Sequence, residues 1–177
     1  MRTRARLALL SACCLATALG AGNVVINEIH YDPYDKTVPE EFIELYNAGA
    51  EAADCSGWFF SDGIKYVFPE GTLILPGRYL VLAEDPATLA RTMGCADALG
   101  PYAGSLANEG ETICLRDAAG AVQDSVDYRR EFPWPIAANG RGSSLELQNP
   151  RLENDVGGAW RASGYGEVPP LSRRMFI

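Results

Sequence analysis

The sequence has one histidine, His30, in 177 residues. That scarcity removes most hydrolytic chemistry at once. A serine hydrolase needs a nucleophile beside a histidine base, and serines next to glycine, such as Ser56-Gly57 and Gly142-Ser143, do not form GxSxG elbows. A cysteine protease meets the same obstacle. Catalytic zinc takes three protein ligands, whereas Glu28 and His30 supply two at strand spacing. The phosphate-cradling patterns GxxxxGK[ST] and GxGxxG are missing, so nucleotide chemistry has no footing. A net positive charge is missing as well: the chain carries -8 at pH 7. Nucleic acid and anionic membranes are therefore disfavoured as partners, unless Arg129, Arg130, Arg141, Arg151 and Arg161 gather on one face.

Long apolar runs are scarce. The longest, Leu7 to Leu19, follows Arg2, Arg4 and Arg6 and precedes small residues. It is too short to cross roughly 30 Å of hydrocarbon, and the arrangement is that of a secretory signal peptide over residues 1–20 with cleavage after Gly20. An alternative takes Leu10-Ser11-Ala12-Cys13 as a lipoprotein box that would anchor the chain through Cys13. Cleavage after Gly20 would remove three arginines and no acid, taking the charge to -11. The expected location is outside the cell or in its envelope, with no membrane-spanning segment in the processed chain.

Beyond the leader, cysteine is reduced to Cys55, Cys95 and Cys114. An odd number allows one disulfide and a thiol, or three buried thiols. Cys114 alternates with Ile113 and Leu115, which turns its thiol away from their face and disfavours a bridge to Cys55; Cys95, in an irregular segment, is the more adaptable partner. The spacing matches neither a zinc site nor a CxxC motif.

What remains is a chain of short apolar runs rich in Val, Ile, Tyr and Phe, punctuated by Gly, Pro, Asn and Asp. This is strand and turn composition. Strands are expected near 24–30, 41–47, 57–61, 64–68, 72–75, 79–83, 111–116, 122–128 and 143–148. Turn chemistry supports them at SDG (61–63), at Pro76-Gly77 and at DAAG (117–120). DPATLARTM (85–93) reads instead as one short helix, with Asp85 as cap and Pro86 in the first turn. About nine short strands with one helix in a crossover predict an all-β fold, an immunoglobulin-like β-sandwich. The sandwich domain is expected over 24–163, followed by a loosely held tail over 164–177.

In chain order, VVINEIHYDP, EEFIELYNAG, SGWFFSDG, PEGTLILPGRYLVLA, LANEGETICLRDAAGAVQDSVDY, WPIAANGRGSSLEL and AWRAS resemble the lamin tail domain as it occurs in secreted bacterial proteins. The resemblance runs from about Val24 to Ser163. It implies an immunoglobulin-like sandwich that is not itself catalytic and that tethers or recognises a protein or cell-surface component. The heptad rod, basic localisation signal and prenylation box of the nuclear form are missing, so nuclear roles are not implied. The motif residues are Asn27, Glu28, Glu44, Asn47, Gly57, Trp58, Trp134, Pro135, Gly140, Ser144, Leu145 and Trp160, all expected to be structural.

Glu28 and Glu44 pose the sharpest question, because two carboxylates are what glycoside hydrolysis needs. In FIELYN a period of two puts Ile43 and Leu45 on one face and Phe42, Glu44 and Tyr46 on the other, placing Glu44 outside the core. Both glutamates are expected to accept hydrogen bonds from backbone amides or an arginine. Trp134 is expected to plug one end of the sandwich. Exposed Trp58, Tyr66 or Tyr79 would suit a second reading, carbohydrate binding. No cofactor is expected, although two acidic loops hold oxygen ligands of the kind calcium takes: Asp32 with Asp35, and Asn149 with Glu153, Asn154 and Asp155. Neither has the EF-hand spacing, and solvated turns account for them equally.

Overall fold

A computed structural model describes residues 23–164. The leader over 1–20, and the tail beyond Gly164, lie outside the described residues. Eleven strands are found among them: β1 (Val24–His30), β2 (Phe42–Asn47), β3 (Ala53–Asp54), β4 (Phe59–Asp62), β5 (Tyr66–Val67), β6 (Leu73–Ile74), β7 (Tyr79–Ala83), β8 (Thr112–Arg116), β9 (Val122–Asp127), β10 (Leu145–Leu147) and β11 (Trp160–Ala162). The expected strands are present with trimmed ends. The two additions, β3 and β11, have two and three residues, too few to show a period.

One antiparallel sheet has the order β11-β10-β1-β2-β7 and a second the order β5-β4-β8-β9, with β3 and β6 forming a separate pair. This is the immunoglobulin-like sandwich. Its core joins Ile26, Ile29, Ile43, Leu45, Leu82 and Leu145 of the larger sheet to Phe60, Ile113, Leu115 and Val126 of the other.

A bulge in β1 makes this possible. Ile26 pairs with Leu45 and Ile29 with Ile43, and the register shifts between Ile26 and Glu28. In a regular strand Ile26, Glu28 and His30 would share a face. The extra residue, Asn27, puts Ile26 inside and leaves Glu28 and His30 on the outward face. At the bulge the Ile26 N–H donates to Asp124 Oδ2 of β9 at 2.6 Å, tying the sheets together. Burial raises the pKa of that carboxyl, while the amides of Ile26 and Ser125 and the side chain of Asn154 hold its charge.

The helix α1 (Pro86–Met93) is capped by Asp85, which accepts from the amides of Ala87 and Thr88, and it ends at Gly94 with φ 73°. It covers part of the outward face of the larger sheet: Leu89 packs with Phe42, Val81, Ala83 and Cys95 in a second apolar cluster. The outward side of β2 is therefore buried, and Glu44 has no exposed surface. Its expected alternation holds, but its placement outside a buried environment does not, because the outward face is covered at this part of the sheet.

Trp134 is buried in the core. Trp134, in the loop before β10, packs on Trp160 with ring centroids 6.0 Å apart. The Trp160 indole N–H donates to the Asn154 carbonyl at 2.7 Å. Gly157 presses so closely that a Cβ there would lie 2.8 Å from the Trp134 amide nitrogen.

Candidate functional site

The antiparallel registers place Glu28 opposite Glu44 on one side and opposite Glu146 on the other. Arg161 lies beyond Glu146 on β11 and Val81 beyond Glu44 on β7. Three glutamates thus stand abreast on neighbouring strands of the outward face. Glu28 and Glu44 are fully buried and Glu146 nearly so. Like charges directly opposite on a sheet repel, and each carboxylate here has its own donor. Ser144 Oγ donates to Glu28 Oε1 at 2.5 Å, and Asn27 Nδ2 to Glu44 Oε1 at 2.9 Å. Arg161 takes Glu146 through both of its carboxylate oxygens, Nε at 3.2 Å and a terminal nitrogen at 3.0 Å.

The donors described for Glu28 and Glu44 include two side chains, a hydroxyl and an amide. Strand geometry explains this: backbone amides lie in the plane of the sheet, and the glutamates stand perpendicular to it. The Ser144 hydroxyl also contacts Ser163 Oγ at 2.9 Å, and Ser163 Oγ accepts from the Ser144 amide at 2.9 Å. Beside the row lies a polar depression of about 170 Å³ between Asn27, Tyr46, Tyr79, Gln148 and Arg161.

His30 occupies the same face, stacked on Phe42 at 5.3 Å between ring centroids. Burial, reinforced by the positive charge of Lys36, lowers its pKa to about 4, so at neutral pH it carries no charge. The thiols offer no nucleophile either. Cys55, Cys95 and Cys114 are all buried, and burial pushes Cys55 up to about 12 and Cys95 up to about 11.

The other motif residues serve the scaffold. Asn47 is fully buried and staples three segments: its amide donates to the carbonyls of Glu51 and Ile74, and its Oδ1 accepts from the Gly49 amide. Gly57 adopts φ 70° and hydrogen bonds to Phe68 O at 3.0 Å, setting up the turn into Trp58. Trp58 is 5% exposed and belongs to the core, which corrects its expected exposure. Tyr66 and Tyr79 are half-buried and lie on different sheets, so the three rings form no common sugar platform. Pro135 starts a 3-10 turn over Ile136–Ala138, and Leu145 is core. At Gly140, with φ 63°, a Cβ would stand 3.0 Å from Asp32 Oδ2.

The acidic loops are engaged in local bonds. Asp32 pairs with Lys36, and Asp35 Oδ1 accepts from the amide and hydroxyl of Thr37. Asn149 caps the Arg151 amide, Asn154 donates to Asp124, and Asp155 accepts from the Asp127 amide. Among the described residues no group of three or more His, Cys, Asp or Glu is placed to hold a metal ion. Three of the five arginines named above are paired with acids: Arg129 with Asp127, Arg130 with Glu109 and Glu131, and Arg161 with Glu146.

A second place, unremarked in the sequence, is a cleft of about 400 Å³ between the segment preceding β2 and the loop around Ser105. Glu41 lines it, 9% exposed, with Oε2 accepting from the Leu106 amide at 2.8 Å and the Tyr102 hydroxyl at 3.1 Å. Burial raises its pKa to about 7 against the pull of those donors, with Glu84 and Glu111 adding repulsion. Glu84 lines the cleft as well, and its pKa is also raised by burial. In the sequence Glu41 stands at the start of an expected strand and Glu84 just ahead of the helix cap Asp85, with nothing to mark either; only the distant loop carrying Tyr102 and Leu106 makes Glu41 unusual.

Comparison with known proteins finds the family described as Lamin Tail Domain, matched over residues 17–130. No curated protein matches the chain. The sandwich extends past the matched residues, since β10 and β11 complete the larger sheet beside β1.

Proposed function

Because this chain belongs to the lamin tail domain family, a family of immunoglobulin-like domains, we propose that it is a non-catalytic exported module for recognition or tethering, acting on a protein or cell-surface component. The observation that carries the non-catalytic part is the complete burial of Glu28 and Glu44. A glycosidase needs both carboxyls open to one cleft that admits the sugar and, at some stage, a water. Here the pair is closed from solvent and spent on Ser144 and Asn27. A histidine that is neutral and stacked, and the Cys55 and Cys95 thiols held protonated by burial, leave those residues without the base or anion that nucleophilic chemistry needs.

Export is supported by the leader-like residues 1–20, and the acidity of the chain argues for a partner other than nucleic acid. Turnover of aryl glycosides, phosphoesters and peptides is expected to be absent; hydrolysis that disappears in Glu28→Gln or Glu44→Gln would defeat the non-catalytic reading. The intact mass of the product from a secreting host should begin near Ala21. Acyl chains on Cys13 would replace secretion by lipid anchoring, and an unprocessed product would remove export altogether.

A further inference from the structure

We propose that Glu41 and Glu111 form a proton-operated clasp on the loop from Gly104 to Glu109: with Glu41 protonated the loop is held closed beside the cleft, and on ionisation that hold loosens. The device goes beyond the recognition reading and stands whatever the domain binds. Two successive amides of this loop are held by acids from different parts of the chain. The Leu106 N–H donates to Glu41 Oε2 at 2.8 Å, and the Ala107 N–H donates to Glu111 Oε1 at 2.6 Å. A tyrosine hydroxyl supports each bond: Tyr102 donates to Glu41 Oε2 at 3.1 Å, and Tyr128 to Glu111 Oε1 at 3.2 Å. Closing the loop therefore draws together two acids whose charges repel.

The backbone on either side of the clasp is fixed by other means. Ala103 exchanges both backbone hydrogen bonds with Lys65, at 2.8 and 2.9 Å, and the Gly110 N–H closes a turn onto the Ala107 carbonyl at 3.0 Å. Between these points Gly104, Ser105, Asn108 and Glu109 are exposed, and a Cβ at Gly104 would meet nothing nearer than 3.8 Å. Among the described residues, the bonds given by the amides of 104–109 are the two that end on Glu41 and Glu111. The Leu106 side chain stays in the core, so the change is a loosening of backbone about that anchor. Ser105 and Asn108 line the cleft of about 400 Å³, and loosening moves its wall.

The charges around Glu41 set the direction. Glu84 stands beside it, with its amide on the Glu41 carbonyl at 2.9 Å, and Glu111 faces it from the start of β8; both repel its ionised form. Tyr102 and Tyr128 face it with hydroxyls that burial keeps protonated. Lys36 attracts the ionised form, although Asp32 shares its charge. Burial and the two acids outweigh that attraction, and the closed carboxyl sits at about 7. In the loosened loop it is hydrated and returns toward the ordinary 4.5. The closed form is therefore the tighter proton holder: its advantage is complete below 4.5 and is gone once pH has risen through 7. Within that window one pH unit changes the ratio of loosened to closed loop by up to about tenfold.

Amide hydrogen exchange of the isotope-labelled full chain, followed by NMR from about pH 5 to 8, reads this local opening. Dividing the rates at Leu106 and Ala107 by that of Ile113 in the core removes the intrinsic effect of hydroxide. Both ratios should rise together, by up to about tenfold per pH unit, and level off above 7; in Glu41→Gln they should be flat. Two charge variants serve whether or not Glu41→Gln folds: Glu84→Gln should move the midpoint down and Lys36→Gln should move it up. Ratios that ignore pH in the wild type, a response at Leu106 without Ala107, the same rise in Glu41→Gln, or a midpoint unmoved by both charge variants would each overturn the clasp.

Discussion

The two sheets of the sandwich differ on their outward faces. On the β5-β4-β8-β9 sheet that face is polar and wet: Thr112 bonds across to Asp127 at 3.0 Å, Ser61 to Asp62 at 2.7 Å, and Arg116 to Ser61 at 3.0 Å, with Ser61, Asp62 and Thr112 exposed. On the larger sheet the corresponding face holds Glu28, Glu44, Glu146, His30 and Ser144, all buried. The same strand alternation yields a solvated surface in one case and a dehydrated polar layer in the other. Period-two patterning reports which face a residue is on; it does not report what covers that face. A buried polar layer has to satisfy its groups internally, and a wet one does not, so substitutions should separate the two sheets sharply.

The largest effect is expected where both sheets depend on one plug. Trp134→Ala should lower stability by about 3 to 5 kcal/mol in denaturant melts, the usual cost of deleting a buried large aromatic, because Trp134 is buried in the core against Trp160. A loss below about 1 kcal/mol, typical of surface changes, would place the indole outside the core.

Titration should distinguish groups near the larger sheet by sign. Glu41 has a folded pKa of about 7 against an ordinary value of 4.5, so the folded state holds its proton more tightly. Its contribution is complete below the unfolded pKa and is lost as pH rises through the folded one, amounting to roughly 3 kcal/mol. The difference in stability between wild type and Glu41→Gln should therefore slide against the wild type between pH 4.5 and 7. His30, lowered to about 4 from 6.5, behaves oppositely: its contribution is present above the unfolded pKa and is lost as pH falls through the folded one. A flat difference curve for Glu41→Gln would show that the carboxylate is hydrated.

Within the polar layer, Ser144→Ala takes the hydroxyl donor from a buried carboxylate and should cost about 1 to 3 kcal/mol. On the wet sheet, Asp62→Asn should stay within about 0.5 kcal/mol of wild type. Thermal melts of both variants give the comparison directly; similar losses would mean that the two outward faces are not physically distinct.

Much of the architecture was legible before the structure. The helix DPATLARTM carries its own stop and start signals, and the long strands show their period. Trp134, flanked by Pro133 and Pro135, read as a plug. Strands β3 and β11 escaped because each is only two or three residues long and neither lies in a longer alternating apolar run, and Trp58 looked available to a sugar because a lone tryptophan beside a turn has the same sequence whether it points outward or inward. Glu146 was legible as the polar half of Ser144-Leu145-Glu146-Leu147, but its alignment with Glu28 and Glu44 depends on strand order, which no local pattern encodes.

The sequence by itself determined the alternation of strands and turns, the capped helix, the scarcity of catalytic bases and the acidity of the chain, since these follow from local conformational preferences and from residue counts. Tertiary structure decided what the polar residues are for. The bulge at Asn27 turned Glu28 outward, α1 covered the outward side of β2, and strand order set three glutamates side by side. The loop of Tyr102 and Leu106 folded onto Glu41 across more than sixty residues of chain. Burial and pairing are properties of neighbours distant in sequence, so the same glutamate can be a solvated acid, a scaffold bond or the floor of a cleft until the fold supplies those neighbours.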